Sequence, residues 1–77
     1  MSGNRMPIEY VLSDNLKRIR GKKKLSEEIV SRYAGLTLHG YKEIEDELHL
    51  PNLIVLVRIA RALKCKIDDL LPLDEIE

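Results

Sequence analysis

The chain has 77 residues, 44% of them hydrophobic, with three Tyr, no Phe or Trp, and 13 basic side chains balanced by 13 acidic ones. That composition describes one small globular domain with an aliphatic core, and its zero net charge gives no whole-chain pointer to nucleic acid. One cysteine, Cys65, excludes an internal disulfide and fits a reducing cytoplasm; with only His39 and His49 beside it no metal-ligand cluster is expected, and no apolar run nears the roughly 20 residues that span a membrane.

Residues 1–12, "MSGNRMPIEYVL", lack helical periodicity and read as an N-terminal extension or arm. Ser2-Gly3-Asn4 looks loose, and "IEYVL" after Pro7 is β-prone. Ser13 is expected to cap the first helix, with Asp14 in its first turn, where negative charge favours the helix dipole. Leu12, Leu16 and Ile19 recur at i, i+4, i+7 and mark a buried stripe, with the basic residues between them facing outward. Gly21 and the run Lys22–Lys24 end this helix.

Ser26 caps a second helix, with Glu27 and Glu28 in its first turn and Val30 and Ala34 turned inward. Gly35 is the expected left-handed stop, and Leu36 anchors the turn. Thr37 caps a third helix from about Leu38 to Glu47, with Tyr41, Ile44 and Leu48 as its apolar stripe; Gly40 inside it costs roughly 1 kcal/mol relative to Ala. Asn52 caps a strongly apolar helix, Leu53 to Leu63, that buries Leu56, Ile59, Ala60 and Leu63. Ile67, Leu70 and Leu71 read as a short fifth helix, broken by Pro72. The expected organisation is an extension over 1–12, an all-α domain over 13–72 and an acidic tail over 73–77.

Charge is segregated along the chain. Residues 14–34 carry +4, 37–50 carry −3, 51–66 carry +4 and 67–77 carry −5. Such alternation either separates a basic face from acidic ones or makes a mixed solvated surface.

Two short helices joined by a tight turn at Gly35 have the form of a helix-turn-helix. "LSDNLKRIRGKKKLSEE", Leu12 to Glu28, and "LPNLIVLVRIARALKCKIDDLL", Leu50 to Leu71, resemble the first and last helices of the Cro/C1-type helix-turn-helix domains of phage and bacterial repressors. The resemblance runs over about residues 12–71 without a gap. It implies an all-α, five-helix, lambda-repressor-like fold whose third helix enters the major groove of double-stranded DNA. Carried over, the base-reading positions are Leu38, His39 and Lys42, with Glu43 at the next exposed site, and Thr37 is a capping hydroxyl that also touches phosphate. Glu27 stands where the family usually has a phosphate-binding Gln. Glu45 stands where a family Glu pairs with an Arg near the end of the first helix, here Arg20. Lys22, Lys23 and Lys24 are candidates for flanking phosphates.

Residues 37–50 hold one Lys against four acids, and Ile29, Tyr33, Leu50 and Ile54 are more apolar than an outer surface needs. A cover is expected there, either Ile8, Tyr10 and Val11 of the arm or a second protomer. Two function classes follow. One is a sequence-specific DNA-binding regulator acting as a homodimer. The other is a helix-turn-helix module given over to protein contact, such as an antirepressor or partner-binding domain. No nucleophile–base set or phosphate-cradling glycine loop points to an enzyme, and no cofactor is implied.

Overall fold

The computed structural model describes residues 6–76, so the loose stretch at Ser2–Asn4 and the final Glu77 lie outside the described residues. Five helices follow in order: α1 (Ile8–Lys22), α2 (Glu27–Tyr33), α3 (Leu38–Glu45), α4 (Leu53–Leu63) and α5 (Ile67–Leu70). The α1 helix packs on α3 and α5, α2 on α3 and α4, and α4 on α5. Their shared core is Leu12, Leu16, Ile19, Val30, Ala34, Tyr41, Ile44, Leu56, Ile59, Ala60, Leu63 and Leu70. An all-α bundle is thus what the 3.6-residue periodicity specifies.

The first helix begins five residues before Ser13. Pro7 supplies the preset φ of −57° at the N-cap, its carbonyl accepts from Val11 N at 3.1 Å, and Glu9 lies in the first turn. Val11 and Leu12 are both buried and extend the stripe of Leu16 and Ile19 backwards, so helical burial overrides the β propensity of "IEYVL". The boundary expected between residues 12 and 13 falls inside α1, and Ser13 is not a cap. It is buried, and its hydroxyl donates to the Glu45 carbonyl at 2.6 Å. Among the described residues the extension, from Met6 onward, leaves Tyr33 70% and Ile54 65% exposed on the apolar surface expected to need a cover. After Pro72 the acidic stretch forms a 3-10 turn, Leu73–Glu75, and Ile76 pairs with Met6 in an isolated parallel bridge.

Four helices end by the same device. Lys24, Gly35, Glu47 and Lys64 all take left-handed φ, between 55° and 72°. In each case the N–H of the next residue bonds a carbonyl five residues back: Leu25 to Arg20, Leu36 to Ser31, Leu48 to Glu43 and Cys65 to Ala60. This is the Schellman closure, which satisfies the last open carbonyls of a helix. Only α2 uses glycine for it. The apolar residue that follows normally packs back on the helix it ends. Leu25, Leu36 and Cys65 do pack against the core, whereas Leu48 is 74% exposed. The third helix therefore stops at Glu45, two residues earlier than its acidic sequence suggests, and Leu48 is not part of its buried stripe.

Candidate nucleic-acid interface

The corner formed by α2 and α3 is built from local hydrogen bonds. The Ser26 hydroxyl accepts from Ile29 N at 3.1 Å and the Thr37 hydroxyl from Gly40 N at 3.0 Å, each satisfying an open donor at a helix start. Gly35, at φ 72°, reverses the chain between the two helices. A side-chain carbon added to Gly40 would sit 3.1 Å from the Thr37 hydroxyl, so glycine there keeps the cap uncrowded.

Behind α3 lies a polar cluster that fixes its position. Arg20 Nε donates to Glu45 Oε2 at 2.7 Å, and its terminal nitrogens donate to Oε1 at 3.2 Å and to the Leu25 carbonyl at 3.0 Å. The Tyr41 hydroxyl donates to the same Glu45 carboxylate. With Ser13 on the Glu45 carbonyl, one acidic residue joins α1, α3 and the loop before α2. The carboxylate is almost wholly buried, at 3% exposed. Its hydrogen bond holds the Arg20 guanidinium protonated beyond the ordinary arginine range, against the opposing pull of burial, and the negative charge of Glu27 adds in the same direction. Burial, then the Glu45 hydrogen bond, raises the Tyr41 phenol well above its ordinary value.

With Tyr41, Ile44 and Glu45 buried on one side, α3 turns Leu38, His39 and Lys42 outward, and Glu43 lies half-buried beside them. His39 Nε2 is 3.4 Å from a Glu43 carboxylate oxygen, one helical turn away. Glu43 is thus partly engaged by its own helix. Thr37 is exposed at the start of α3, and Glu27 is half-buried at the start of α2. Asp46 and Glu47 lie beyond the C-terminal end of α3.

Lys22, Lys23 and Lys24 are all exposed, but they are not a uniform row. Lys23 Nζ donates to the Lys64 carbonyl at 3.3 Å, at the end of α4. Lys22 and Lys23 line a shallow groove with Arg18, Lys64 and Asp69, where two helix C-termini meet. Cations there offset the negative ends of both dipoles. Cys65 borders this groove, and burial raises its thiol pKa. Three contributors are not legible as such. Ser13 reads as a cap in sequence, and the i, i+4 spacing of Tyr41 and Glu45 was the available sign of their bond. Arg58 is a third: its guanidinium lies 3.8 Å from where a side-chain carbon on Gly35 would be, beside the helix-turn-helix corner.

The family model described as the Cro/C1-type HTH DNA-binding domain matches residues 15–75. Comparison with curated proteins gave no match. Among solved structures, the restriction-modification controller protein C.AhdI from Aeromonas hydrophila superposes with a TM-score of 0.78 at 22% sequence identity, over 82% of this chain and 96% of that one. That likeness is one of fold.

Proposed function

The chain belongs to the Cro/C1-type helix-turn-helix DNA-binding domain family, and from that premise we propose that this DNA-binding transcription regulator reads double-stranded DNA sequence-specifically, as a cytoplasmic homodimer, with α3 in the major groove. The observation that carries the reading is the asymmetry of α3. Its inner side is pinned by Tyr41, Ile44 and the Arg20–Glu45 pair, while Leu38, His39 and Lys42 stand outward from its first two turns. A recognition helix needs that rigidity to place side chains against base edges.

In this reading Lys42 donates to a guanine edge, His39 donates to a base or phosphate, and Leu38 meets a thymine methyl. Glu43, already within reach of His39, accepts from cytosine N4. Thr37, Glu27 and Lys22–Lys24 border the flanking phosphates, and each cationic contact adds salt dependence. A single helix of eight residues makes few base contacts, so two copies on a two-fold site supply the affinity and specificity. The acids of this region need not block approach. Glu45 is neutralised internally, and Asp46 and Glu47 lie past the end of α3 opposite its groove-entering N-terminus.

A second reading, a module for protein contact, is favoured by the exposure of Leu38 at the head of α3. Titration against a random-sequence duplex pool at low and moderate salt separates the two. Recovery of a palindromic site supports the dimeric regulator. No retained duplex at any salt, together with loss of a protein partner in a folded Leu38→Asp variant, overturns it.

A further inference from the structure

The groove between the C-terminal ends of α1 and α4 holds about 330 Å³, and Arg18, Lys22, Lys23, Lys64, Cys65 and Asp69 share its lining. Its charge exceeds what its position explains. Four cations face one carboxylate, a surplus of three positive charges. The two helix ends carry about half a negative charge each, which leaves about two positive charges unmatched. The carbonyls at those ends are already closed by the N–H groups of Leu25 and Cys65.

Two of the cations are also held in place. Arg18 Nη2 donates to the side-chain oxygen of Asn15, and Asn15, 4% exposed, is itself fixed by donating to the Leu70 carbonyl at 2.9 Å. Lys23 Nζ donates to the Lys64 carbonyl at 3.3 Å. Long cationic side chains lose rotamer freedom when they grip an anion, and here part of that ordering is present in the folded chain. Asp69, the one acid of the lining, is engaged at the start of α5, where its carboxylate accepts from Lys66 N at 2.9 Å.

From this arrangement we propose that the groove binds a small phosphorylated molecule, its phosphate gripped by Arg18, Lys22, Lys23 and Lys64. The volume lies at the lower end of the roughly 300–1,000 Å³ of small-molecule sites. A guanidinium fork beside ammonium groups suits phosphate oxygens. Asp69 repels a chain of phosphates running on through the groove and so favours a compact anion. The proposal goes beyond the DNA reading. Lys22 and Lys23 also belong to the run proposed above for flanking phosphates, and the test separates the two uses.

The full chain is titrated with inorganic pyrophosphate at constant ionic strength, followed by backbone amide NMR and by the rate at which iodoacetamide, a neutral reagent, alkylates Cys65. Saturable shifts are expected at Arg18, Lys23, Lys64 and Cys65, with slower alkylation. Arg18→Gln and Lys64→Gln change exposed side chains, so circular dichroism stays that of the wild type while affinity falls by about tenfold or more. Asp69→Asn keeps an acceptor for Lys66 N and should tighten binding, because it removes the one opposing charge. Shifts that never saturate, shifts at Thr37 and Lys42 in place of the groove, or variants that bind as the wild type does overturn the proposal. So does a duplex of arbitrary sequence that shifts the groove residues when pyrophosphate does not, since the groove then belongs to DNA backbone. Saturable pyrophosphate binding with these responses, in a chain that retains no duplex, would sink the DNA reading and leave the groove standing.

Discussion

Arg20 on α1 holds Glu45 on α3 by both carboxylate oxygens, at 2.7 and 3.2 Å, and the carboxylate it holds is 3% exposed. The pair joins the first helix to the last residue of the proposed recognition helix. A buried ion pair adds little over a well-packed apolar pair, but breaking one partner alone is costly because the other charge is stranded.

Arg20→Ala is therefore expected to destabilise the domain by about 3–5 kcal/mol, a large share of the total stability of a chain this size. Arg20→Ala combined with Glu45→Gln should cost less than the sum of the two, with a coupling above about 1 kcal/mol in urea denaturation. Additive losses would show that the two side chains act independently.

The Tyr41 phenol links stability to alkaline pH. Its pKa is raised from an ordinary 10.0 by burial and by its bond to Glu45, so the folded state holds the proton more tightly than the unfolded chain does. That contribution is fully present below the ordinary value and is lost as pH climbs above it. Denaturation midpoints should fall steeply from about pH 10 upward. Tyr41→Phe should lose roughly 1 kcal/mol at neutral pH through the missing hydrogen bond, yet decline less between about pH 9 and 11. Parallel declines in the two proteins would assign the alkaline loss to other groups.

Three of the four helix ends pay a left-handed penalty that glycine would not. Lys64→Gly keeps the carbonyl that Lys23 bonds and should stabilise by about 0.5–1 kcal/mol. Gly35→Ala should destabilise by about 1–2 kcal/mol. Thermal melts of the two variants moving the same way would contradict the strain assignment.

Much of this fold is legible in the sequence because two signals agree over most of it. Ser26, Thr37 and Asn52 are side-chain caps, and the stripes at Leu12–Leu16–Ile19 and Leu56–Ile59–Ala60–Leu63 have helical period. The failures come where those signals conflict or where the governing contact is distant. "IEYVL" has strand propensity but continues a buried helical stripe. Ser13 resembles a cap because its true acceptor, the Glu45 carbonyl, lies 32 residues away. The helical spacing of Leu48 from Tyr41 and Ile44 cannot reveal that Glu47 turns left-handed first. At the candidate site, sequence identifies which side chains face outward from α3. It does not reveal that His39 leans on Glu43 or that Lys23 is drawn to the end of α4.

The outward residues of α3 give the functional prediction. Lys42→Ala should relax base preference and cost on the order of 1–3 kcal/mol in duplex affinity. Glu43→Gln should lower specificity, as expected for a carboxylate that accepts from cytosine. A uniform gain in affinity for every duplex would show that Glu43 only repels phosphate. Competition titrations with single-base variants of the selected site distinguish these outcomes.

Two polar side chains on α1 are buried against the ends of other helices: Ser13 donates to the carbonyl of Glu45, the last residue of α3, and Asn15 to that of Leu70, the last residue of α5, at 2.9 Å. An interior made almost entirely of Leu, Ile, Val and Ala can slide by a turn at modest cost, since one branched aliphatic fits much where another did. These two donors do not slide, because a displaced serine or asparagine would strand both itself and a terminal carbonyl. They act as a two-pin key for the alignment of the bundle. Replacing both with apolar residues of similar size strands the two carbonyls, so it should cost about 1–3 kcal/mol at each and leave a helical, collapsed chain that has lost its single arrangement, visible as broadened side-chain NMR signals beside an unchanged far-ultraviolet spectrum.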